Sequence, residues 1–314
     1  MLFSILVAHY NNASFLATAL NSVLTQQYKN WEIIIVDDAS TDHFESVMAK
    51  FAADSRIRVF RNRKNMGCGF TKRRCAELAN GELLGFLDPD DALHPEAMSI
   101  MAQAHLDNPG HSLIYSSQFI CDASLQVKRI AEYIKALPFG VPYLLLGDGS
   151  IHHFVTFPKK AYKKTGGIEP ANKRAVDKDL YYRLEETGKV LFIDTPLYYY
   201  RIHSGSISNL GQERSATLAH YQVARNACLR RINDLKKNRV SDSVEMIRKY
   251  RTCYYKLAIF ENFKTRKWSR LMGSVLAYPF VGGWSSLISY ARKLPVEGRS
   301  LLRKSFLEHY EIHS

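Results

Sequence analysis

The 314-residue chain lacks several features, and each absence narrows its function. Its five cysteines, Cys68, Cys75, Cys121, Cys228 and Cys253, contain no Cys-x-x-Cys pair, and an odd number cannot all be joined in disulfides. Reduced thiols in a cytoplasmic protein fit this pattern best. No apolar run approaches the roughly 20 residues that a bilayer span requires. The apolar start, residues 1–8, is short and has no basic stretch beside it, so no secretory signal is expected. No internal repeat or low-complexity tract is visible. Acidic residues are scarce in the last third: residues 213–314 hold 20 lysines and arginines against 8 acids, an excess of 12 in a chain of net charge +13. The first two thirds are therefore close to neutral. That excludes a nucleic-acid-binding face across the whole molecule, and no nucleic-acid partner is expected.

What is present is an ordinary globular composition, 46% hydrophobic, in which apolar runs alternate with helical spacing. Residues 3–8 read as a buried strand, broken by His9-Tyr10-Asn11-Asn12. Phe15, Leu16, Ala19, Leu20, Val23 and Leu24 have helical spacing. Residues 31–36 form a second strand ending in Asp37-Asp38-Ala39-Ser40-Thr41-Asp42. A helix over 44–53, a strand over 57–60, a turn-rich segment over 62–69 and a helix over 70–79 follow. A fourth strand, 83–87, delivers Asp88-Pro89-Asp90-Asp91. Strands alternating with helices imply βαβ units and a largely parallel sheet.

In such sheets ligands bind outside the carboxyl ends of the strands. The end of strand one, the acids ending strand two and the acids ending strand four should thus share one edge. Hard carboxylate oxygens there suit Mg²⁺ or Mn²⁺ shared with substrate phosphates. An Asp-Pro turn with a helix cap at Asp91 or His94 would explain an isolated triplet equally well. Asp37 or Asp38 is suited to accept a hydrogen bond from a base or ribose, Tyr10 to stack on the base, and Arg73 or Arg74 to reach a base or phosphate. Taken singly, each also reads as a cap, a core-edge aromatic or a solvated charge.

Past the triplet, a helix is expected over 95–106, strands over 113–119 and 151–157, and a short helix over 159–164. Residues 121–149 read as irregular. Long helices are expected over 214–237 and 242–263. An apolar stretch, 273–284, is flanked by Lys264, Arg266, Lys267 and Arg270 on one side and by Arg292 and Lys293 on the other. Two readings stay open for this region. One is a helical appendage with a solvated basic face. The other is an interfacial anchor on an anionic membrane surface through residues 264–304.

The ordered motifs resemble a known family. Ser4-Ile5-Leu6-Val7-Ala8-His9-Tyr10-Asn11-Asn12, Ser22-Val23-Leu24-Thr25-Gln26-Gln27 and Glu32-Ile33-Ile34-Ile35-Val36-Asp37-Asp38-Ala39-Ser40-Thr41-Asp42 are similar to the start of a family-2 glycosyltransferase. Asn65-x-Gly67, Asn80-Gly81-Glu82 and Phe86-Leu87-Asp88-Pro89-Asp90-Asp91 continue the pattern in order, over about residues 1–210. Gly166-Gly167-Ile168-Glu169 resembles the family's Gly-Gly-aromatic-Asp-Glu turn, with Ile and Glu as departures. Val176-Asp177-Lys178-Asp179-Leu180 resembles its Glu-Asp-x-Asp-Leu segment, with Val176 in place of the first acid. Tyr200-Arg201-Ile202-His203 and Ser206 resemble its Tyr-Arg-x-His-x-x-Ser segment.

The resemblance implies an α/β GT-A fold, a Rossmann-like and mostly parallel sheet with flanking helices. It implies a nucleotide-sugar part over about 1–120 and an acceptor part over 121–210, beyond which composition and charge set off a basic helical region over 211–314. It implies an inverting transfer of a hexose from a nucleotide-diphosphate donor, UDP-sugar favoured, to a saccharide or lipid-linked acceptor in surface-glycan synthesis. Nucleotide-sugar contacts would come from Ala8, Tyr10, Asp37, Asp38, Asn65, Gly67, Arg74, Asp88 and Arg201. Mn²⁺ or Mg²⁺ would be held by Asp90, Asp88 and His203, and Asp177 would be the general base. Alternatively, Asp177 and Asp179 are only an acidic helix start, with Asp179 as its cap. The expected location is the cytoplasm, peripheral on the inner membrane face if 264–304 binds lipid. A sugar-nucleotide pyrophosphorylase is disfavoured, because its Gly-rich loop after strand one is replaced by His9-Tyr10-Asn11-Asn12. A non-catalytic saccharide- or membrane-binding protein that keeps the fold is the remaining alternative.

Overall fold

The computed structural model describes residues 1–147, 149–204, 213–238 and 243–283. The chain divides into two compact units, Met1–Thr217 and Leu218–Ser314. In the first, β1 (Phe3–His9), α1 (Ala13–Leu24), β2 (Trp31–Asp37), α2 (Phe44–Met48), β3 (Ile57–Arg61), α3 (Cys68–Leu78) and β4 (Leu83–Phe86) alternate as their periodicity predicts. Then come β5 (Ala92–Leu93), α4 (Ala97–Asp107), β6 (His111–Cys121), β7 (Val127–Ile130), α5 (Tyr143–Leu146), β8 (Val155–Pro158), α6 (Lys159–Lys164), α7 (Val176–Glu185) and β9 (Lys189–Arg201). The stretch over 121–149, expected to be irregular, thus carries one strand and one turn of helix. Strand β8 starts later than the apolar run over 151–157 suggested.

The nine strands among the described residues form one sheet, in the order β3-β2-β1-β4-β8-β6-β9-β5 with β7 beside β6. The sheet is mixed. Strands β3, β2, β1 and β4 are parallel, as is the β6–β9 pair, whereas β8 runs antiparallel to both β4 and β6, and β5 antiparallel to β9. Strands buried on both faces read as continuous apolar runs whichever way they pair, so orientation in the second half was not legible from pattern.

Alternation along β1 divides the core. Phe3, Ile5 and Val7 face one side, in one cluster with Leu16, Ala19, Leu20 and Val23 of α1 and Met98 and Met101 of α4. Full burial of each leucine there contributes roughly 1.5–3 kcal/mol. Leu6, Ile34 and Val36 are buried on the other face, where α3 packs on β1 and β2. The register His9↔Asp37 and Leu6↔Phe86 brings the carboxyl ends of β1, β2 and β4 to one edge.

At the opposite edge, Glu32 Oε1 accepts from Ser4 Oγ (2.7 Å) and Gly81 N (3.2 Å), and Glu32 Oε2 from Arg58 (3.0 Å). A Cβ at Gly81 would lie 2.4 Å from Ser4 Oγ and 2.8 Å from Leu2 O, so the Asn80-Gly81 pair answers a close backbone approach.

The described residues of the second unit are helical. Helices α8 (Glu213–Lys237, which crosses the division) and α9 (Ser243–Lys264) run antiparallel: Tyr221 stacks on Phe260 at 5.8 Å, and Arg231 donates to the Tyr250 hydroxyl at 3.3 Å. Helix α10 (Trp268–Ala277) packs Leu271 and Val275, with Tyr278 after it, against Ile259. Trp268, Met272, Leu276 and Phe280, four residues apart, remain exposed, Phe280 at 89%. No helix among the described residues is long and apolar enough to cross a membrane.

One buried group gives the fold a pH signature. His105 of α4 is 7% exposed and donates from Nε2 to Thr156 Oγ1 (3.0 Å), whose own proton goes to Ile114 O. Burial pulls its pKa down to about 4 from 6.5. The unfolded chain therefore binds the extra proton between those values. This contribution to stability is complete at neutral pH and is lost as pH falls from 6.5 through 4, in all roughly 3 kcal/mol. Urea midpoints between pH 7.5 and 4 should show a shallower acid loss for His105→Gln than for the parent; equal slopes would exclude His105 as the source.

Candidate active site

At the end of β1, His9 Nε2 accepts the Asn12 amide (3.3 Å), which leaves Nδ1–H to donate to Asp37 Oδ1 (3.1 Å). Asp37 is fully buried and also accepts from Ser40 N (3.2 Å) and lies 3.1 Å from Arg61 Nε. Asp38, 2% exposed, accepts three hydrogen bonds: from Asn62 Nδ2 (2.6 Å) and Met66 N (2.8 Å) on Oδ1, and from Gly67 N (2.8 Å) on Oδ2. Gly67 sits at φ +90°, in the left-handed region, where the chain turns into α3. Both acids thus build loops. Any ligand contact they make uses the lone pairs these bonds leave over.

Arg74 is half-buried and spends its guanidinium on Arg61 O (3.0 Å) and on Asn62 Oδ1. Arg73 turns the other way, to Glu77 and to Ile168 O. Tyr10, 48% exposed, and Asn65 present open surface at the rim, and Ala8 is half-buried in β1.

The acids after β4 are arranged differently. Asp88 Oδ1 lies 3.1 Å from Lys72 Nζ, and Asp88 Oδ2 lies 3.5 Å from His153 Nε2. Burial would raise the Asp88 carboxyl, but Lys72 and His153 outweigh it and hold it down at about 2. Asp90 Oδ2 is 3.0 Å from His203 Nε2. Asp91 is buried and accepts from Arg201 N (2.8 Å) and from the Tyr198 hydroxyl (2.8 Å), which itself accepts the Asp88 amide. Burial, with Asp90 and Asp88 nearby, pushes the Asp91 carboxyl well above its usual range. Asp91 caps no helix, since α4 begins at Ala97.

Arg201 is 6% exposed, donates to the carbonyls of Asp90 (2.5 Å) and Ala123 (2.6 Å), and lies over the Phe15 ring at 4.6 Å. It ties the β4 turn to the end of β9. Ser206, part of the same sequence motif, lies outside the described residues.

On the other side, Gly166 (φ +75°) and Gly167 (φ +84°) turn the chain back against α3. Gly69 N donates to Asn172 O (3.0 Å), and a Cβ there would approach that oxygen to 2.3 Å. This contact sets the start of α7. Asp177, second in that helix, points its Oδ1 to Lys72 Nζ at 2.8 Å. Asp179 is buried and accepts from Arg183 Nε (2.9 Å), and the N-cap position of the helix is Ala175 rather than Asp179.

Three residues here escaped the sequence reading: Lys72, His153 and Tyr198. The His153 ring stacks on Tyr198 at 5.1 Å. Lys72 stands in the run Lys72-Arg73-Arg74, but it falls three and four residues before buried Cys75 and Ala76. A lysine on the apolar stripe of a helix was the available signal. Burial opposes its charge, yet Asp177 and Asp88 raise its pKa well above the usual lysine range.

For a divalent cation, the Asp90 carboxylate and the His203 imidazole offer an oxygen and a nitrogen side by side. Among the described residues no three His, Cys, Asp or Glu side chains form a ready cage. Such a sparse donor set fits Mg²⁺ or Mn²⁺, which keep waters and take phosphate oxygens.

A parallel half-sheet with acids at its carboxyl edge, continued by a mixed half, is the architecture of the GT-A fold. Residues 4–165 match the model of "Glycosyl transferase family 2", and the chain belongs to that family. It is 33% identical to the O-antigen biosynthesis protein RfbC of Myxococcus xanthus over 65% of this chain, which spans 16% of that protein. It is 27% identical to an uncharacterized glycosyltransferase of Nostoc sp., covering 96% of this chain and 97% of that one. Two solved structures share the fold. S. aureus TarS 1–349 in complex with UDP-GlcNAc superposes with TM-score 0.67 at 16% identity, over 90% of this chain and 82% of that one. The mannosyltransferase PcManGT of Pyrobaculum calidifontis, in complex with GDP-Man and Mn²⁺, superposes with TM-score 0.52 at 12% identity, over 97% and 79%.

The Asp38 bonds generate a prediction. Asp38→Asn replaces one of the two accepting oxygens by an NH₂ donor where three donors converge, so at least one buried donor of the loop over 62–67 loses its acceptor. The expected loss is about 1–3 kcal/mol in urea unfolding, with faster amide exchange at Met66 and Gly67. Parent-like protection at both amides would show that Asp38 does not hold the loop.

Proposed function

We propose that the protein transfers a sugar from a nucleoside-diphosphate donor, a UDP-sugar, to a saccharide or lipid-linked acceptor in surface-glycan synthesis, with inversion at the anomeric carbon. The observation that carries this is the meeting of Asp88 and Asp177, from opposite halves of the first unit, on one buried ammonium (3.1 and 2.8 Å). A single site then addresses donor and acceptor at once. The donor belongs to the part over about 1–120 and the acceptor to the part over 121–210. Likeness to an O-antigen biosynthesis protein and to a fold crystallised with UDP-GlcNAc supports the choice of substrates.

In this reaction Tyr10 stacks on the base, and the loop held by Asp38, with Asn65 at its tip and Gly67 at its base, lies beside the nucleotide. Ala8 leaves room at the end of β1. Asp177 takes the proton of the acceptor hydroxyl as its oxygen attacks the anomeric carbon. The bond from that carbon to the diphosphate breaks on the opposite face, and the electron pair leaves with the diphosphate. Asp90 and His203, with Asp88 behind them, would hold Mn²⁺ or Mg²⁺, which when bound offsets the charge gathering on the leaving group. Arg201 keeps the Asp90 backbone in place.

The test compares Asp177→Asn with Asp179→Asn and Asp90→Ala. Turnover in Asp177→Asn should fall roughly 10²–10⁴-fold while UDP–Mn²⁺ affinity persists by calorimetry. Asp179→Asn should lower melting temperature through its lost Arg183 bond and keep turnover. Asp90→Ala should lose UDP–Mn²⁺ binding and stay folded. A dead Asp179 variant beside an active Asp177 variant would move the base; unchanged nucleotide affinity in Asp90→Ala would remove the metal assignment. A fold kept only for binding would turn over no donor in any form.

The second unit extends this reading. Trp268, Met272, Leu276 and Phe280 line one exposed stripe, with Lys264, Arg266, Lys267 and Arg270 around its start. Trp284 and the rest of the segment up to 304 lie outside the described residues. An interfacial seat on anionic lipid follows, with the apolar stripe in the headgroup layer and about 1 kcal/mol from each nearby cation. It would hold the enzyme at the cytoplasmic membrane face. Co-sedimentation with phosphatidylglycerol vesicles should be strong at low salt, weak at high salt and reduced by Phe280→Ser; equal recovery with neutral vesicles would refute it.

A further inference from the structure

Lys72 has no part in the reaction as drawn so far, yet it is among the most enclosed charges in the site. Its side chain is 5% exposed, between carboxylates at 3.1 Å (Asp88) and 2.8 Å (Asp177), with the Phe86 ring 5.1 Å away. The His153 imidazole is the other group on Asp88. Without the ammonium, two half-buried carboxylates would face each other, and each would turn away from the other. An ammonium is a compact point charge with rotatable donors, so it holds two acceptors at once without demanding the planar geometry of a guanidinium.

We propose that Lys72 is a positioning residue that ties the carboxylate of Asp177 to that of Asp88, so that the acceptor side of the site stands at a fixed separation from the donor side. This rests on the reading of Asp177 as the base. A consequence follows for a cation. Lys72 and a divalent ion both seek the Asp88 oxygens, so removing the lysine charge should leave nucleotide–metal binding no weaker while transfer slows. A residue that merely fills space would impair both together.

The test uses the full chain as Lys72→Met, Asp177→Asn and the double variant. Melting temperatures are read first, without nucleotide or metal, and so do not depend on what the enzyme transfers. Each single change should lower the melting temperature, and the double should fall no further than Lys72→Met alone, because both remove one interaction. Fully additive losses would overturn the tie. UDP–Mn²⁺ affinity by calorimetry and UDP release from UDP-GlcNAc are read next. Lys72→Met should bind UDP–Mn²⁺ at least as tightly as the parent and release UDP roughly 10²-fold more slowly; the double should be no slower than Asp177→Asn. Weakened binding, or parent-like release, overturns the positioning role. Full turnover in Asp177→Asn alone would defeat the base assignment, while the melting cycle still decides whether Lys72 joins the two acids. Should Lys72→Met fail to fold, Asp88→Asn, Asp177→Asn and their double ask the same question. The tie then predicts a double loss greater than the sum, since the second change leaves the ammonium buried without a counter-charge; a simple sum overturns it.

Discussion

Six carboxylates gather about one edge of the sheet, and the site exists because each meets a cation, an imidazole or neutral hydrogen-bond donors. Asp37 has His9, Ser40 N and Arg61; Asp38 has Asn62 and two amides. Asp88 and Asp177 share Lys72, Asp90 has His203, and Asp91 has Tyr198 and the Arg201 amide. Like charges this close in a partly dry cleft would otherwise protonate or move apart. Asp91 marks the limit of the arrangement: burial, with Asp90 and Asp88 nearby, pushes its carboxyl up despite the hydrogen bonds it accepts.

This distribution separates two kinds of acid. Asp37 and Asp38 are buried and accept backbone amides as well as side chains from neighbouring strands and loops, and they fix the loops that frame the cleft. Asp88, Asp90 and Asp177 keep part of their side chains exposed and face Lys72, His153 and His203, brought from elsewhere in the chain. Only the second kind has partners that an incoming ligand or ion would displace or join. The proposed chemistry is assigned to that second group for this reason.

The mixed half of the sheet supplies the rest of the enclosure. Strand β8, lodged between β4 and β6, is preceded by His152 and His153, and β9 carries Tyr198 and Arg201 beneath the β4 turn. His152 accepts no proton easily, because burial drives its pKa down to about 3. Its Nδ1 pairs with Gln118 Oε1, and Gln118 donates to the Tyr133 hydroxyl. A polar chain thus runs from the site into the stretch over 121–149, where the sequence offers no readable motif.

The sequence by itself determined the family, the order of strands and helices in the first half, and the edge at which the acids gather. Those features rest on local physics: apolar runs for strands buried on both faces, helical spacing, and short motifs at strand ends. It also singled out Asp177 over Asp179 by motif, and the fold turns Asp177 to Lys72 and Asp179 to Arg183. Tertiary structure alone decided the rest. Whether Lys72, Arg73 or Arg74 turns inward depends on how α3 rotates against β1 and β2. Whether Arg201 meets phosphate or a carbonyl depends on where β9 passes the β4 turn. The direction of β8, and with it the place of His153, depends on long-range pairing that no local pattern encodes. A lysine between two aspartates distant in sequence has no signature until the sheet brings them together.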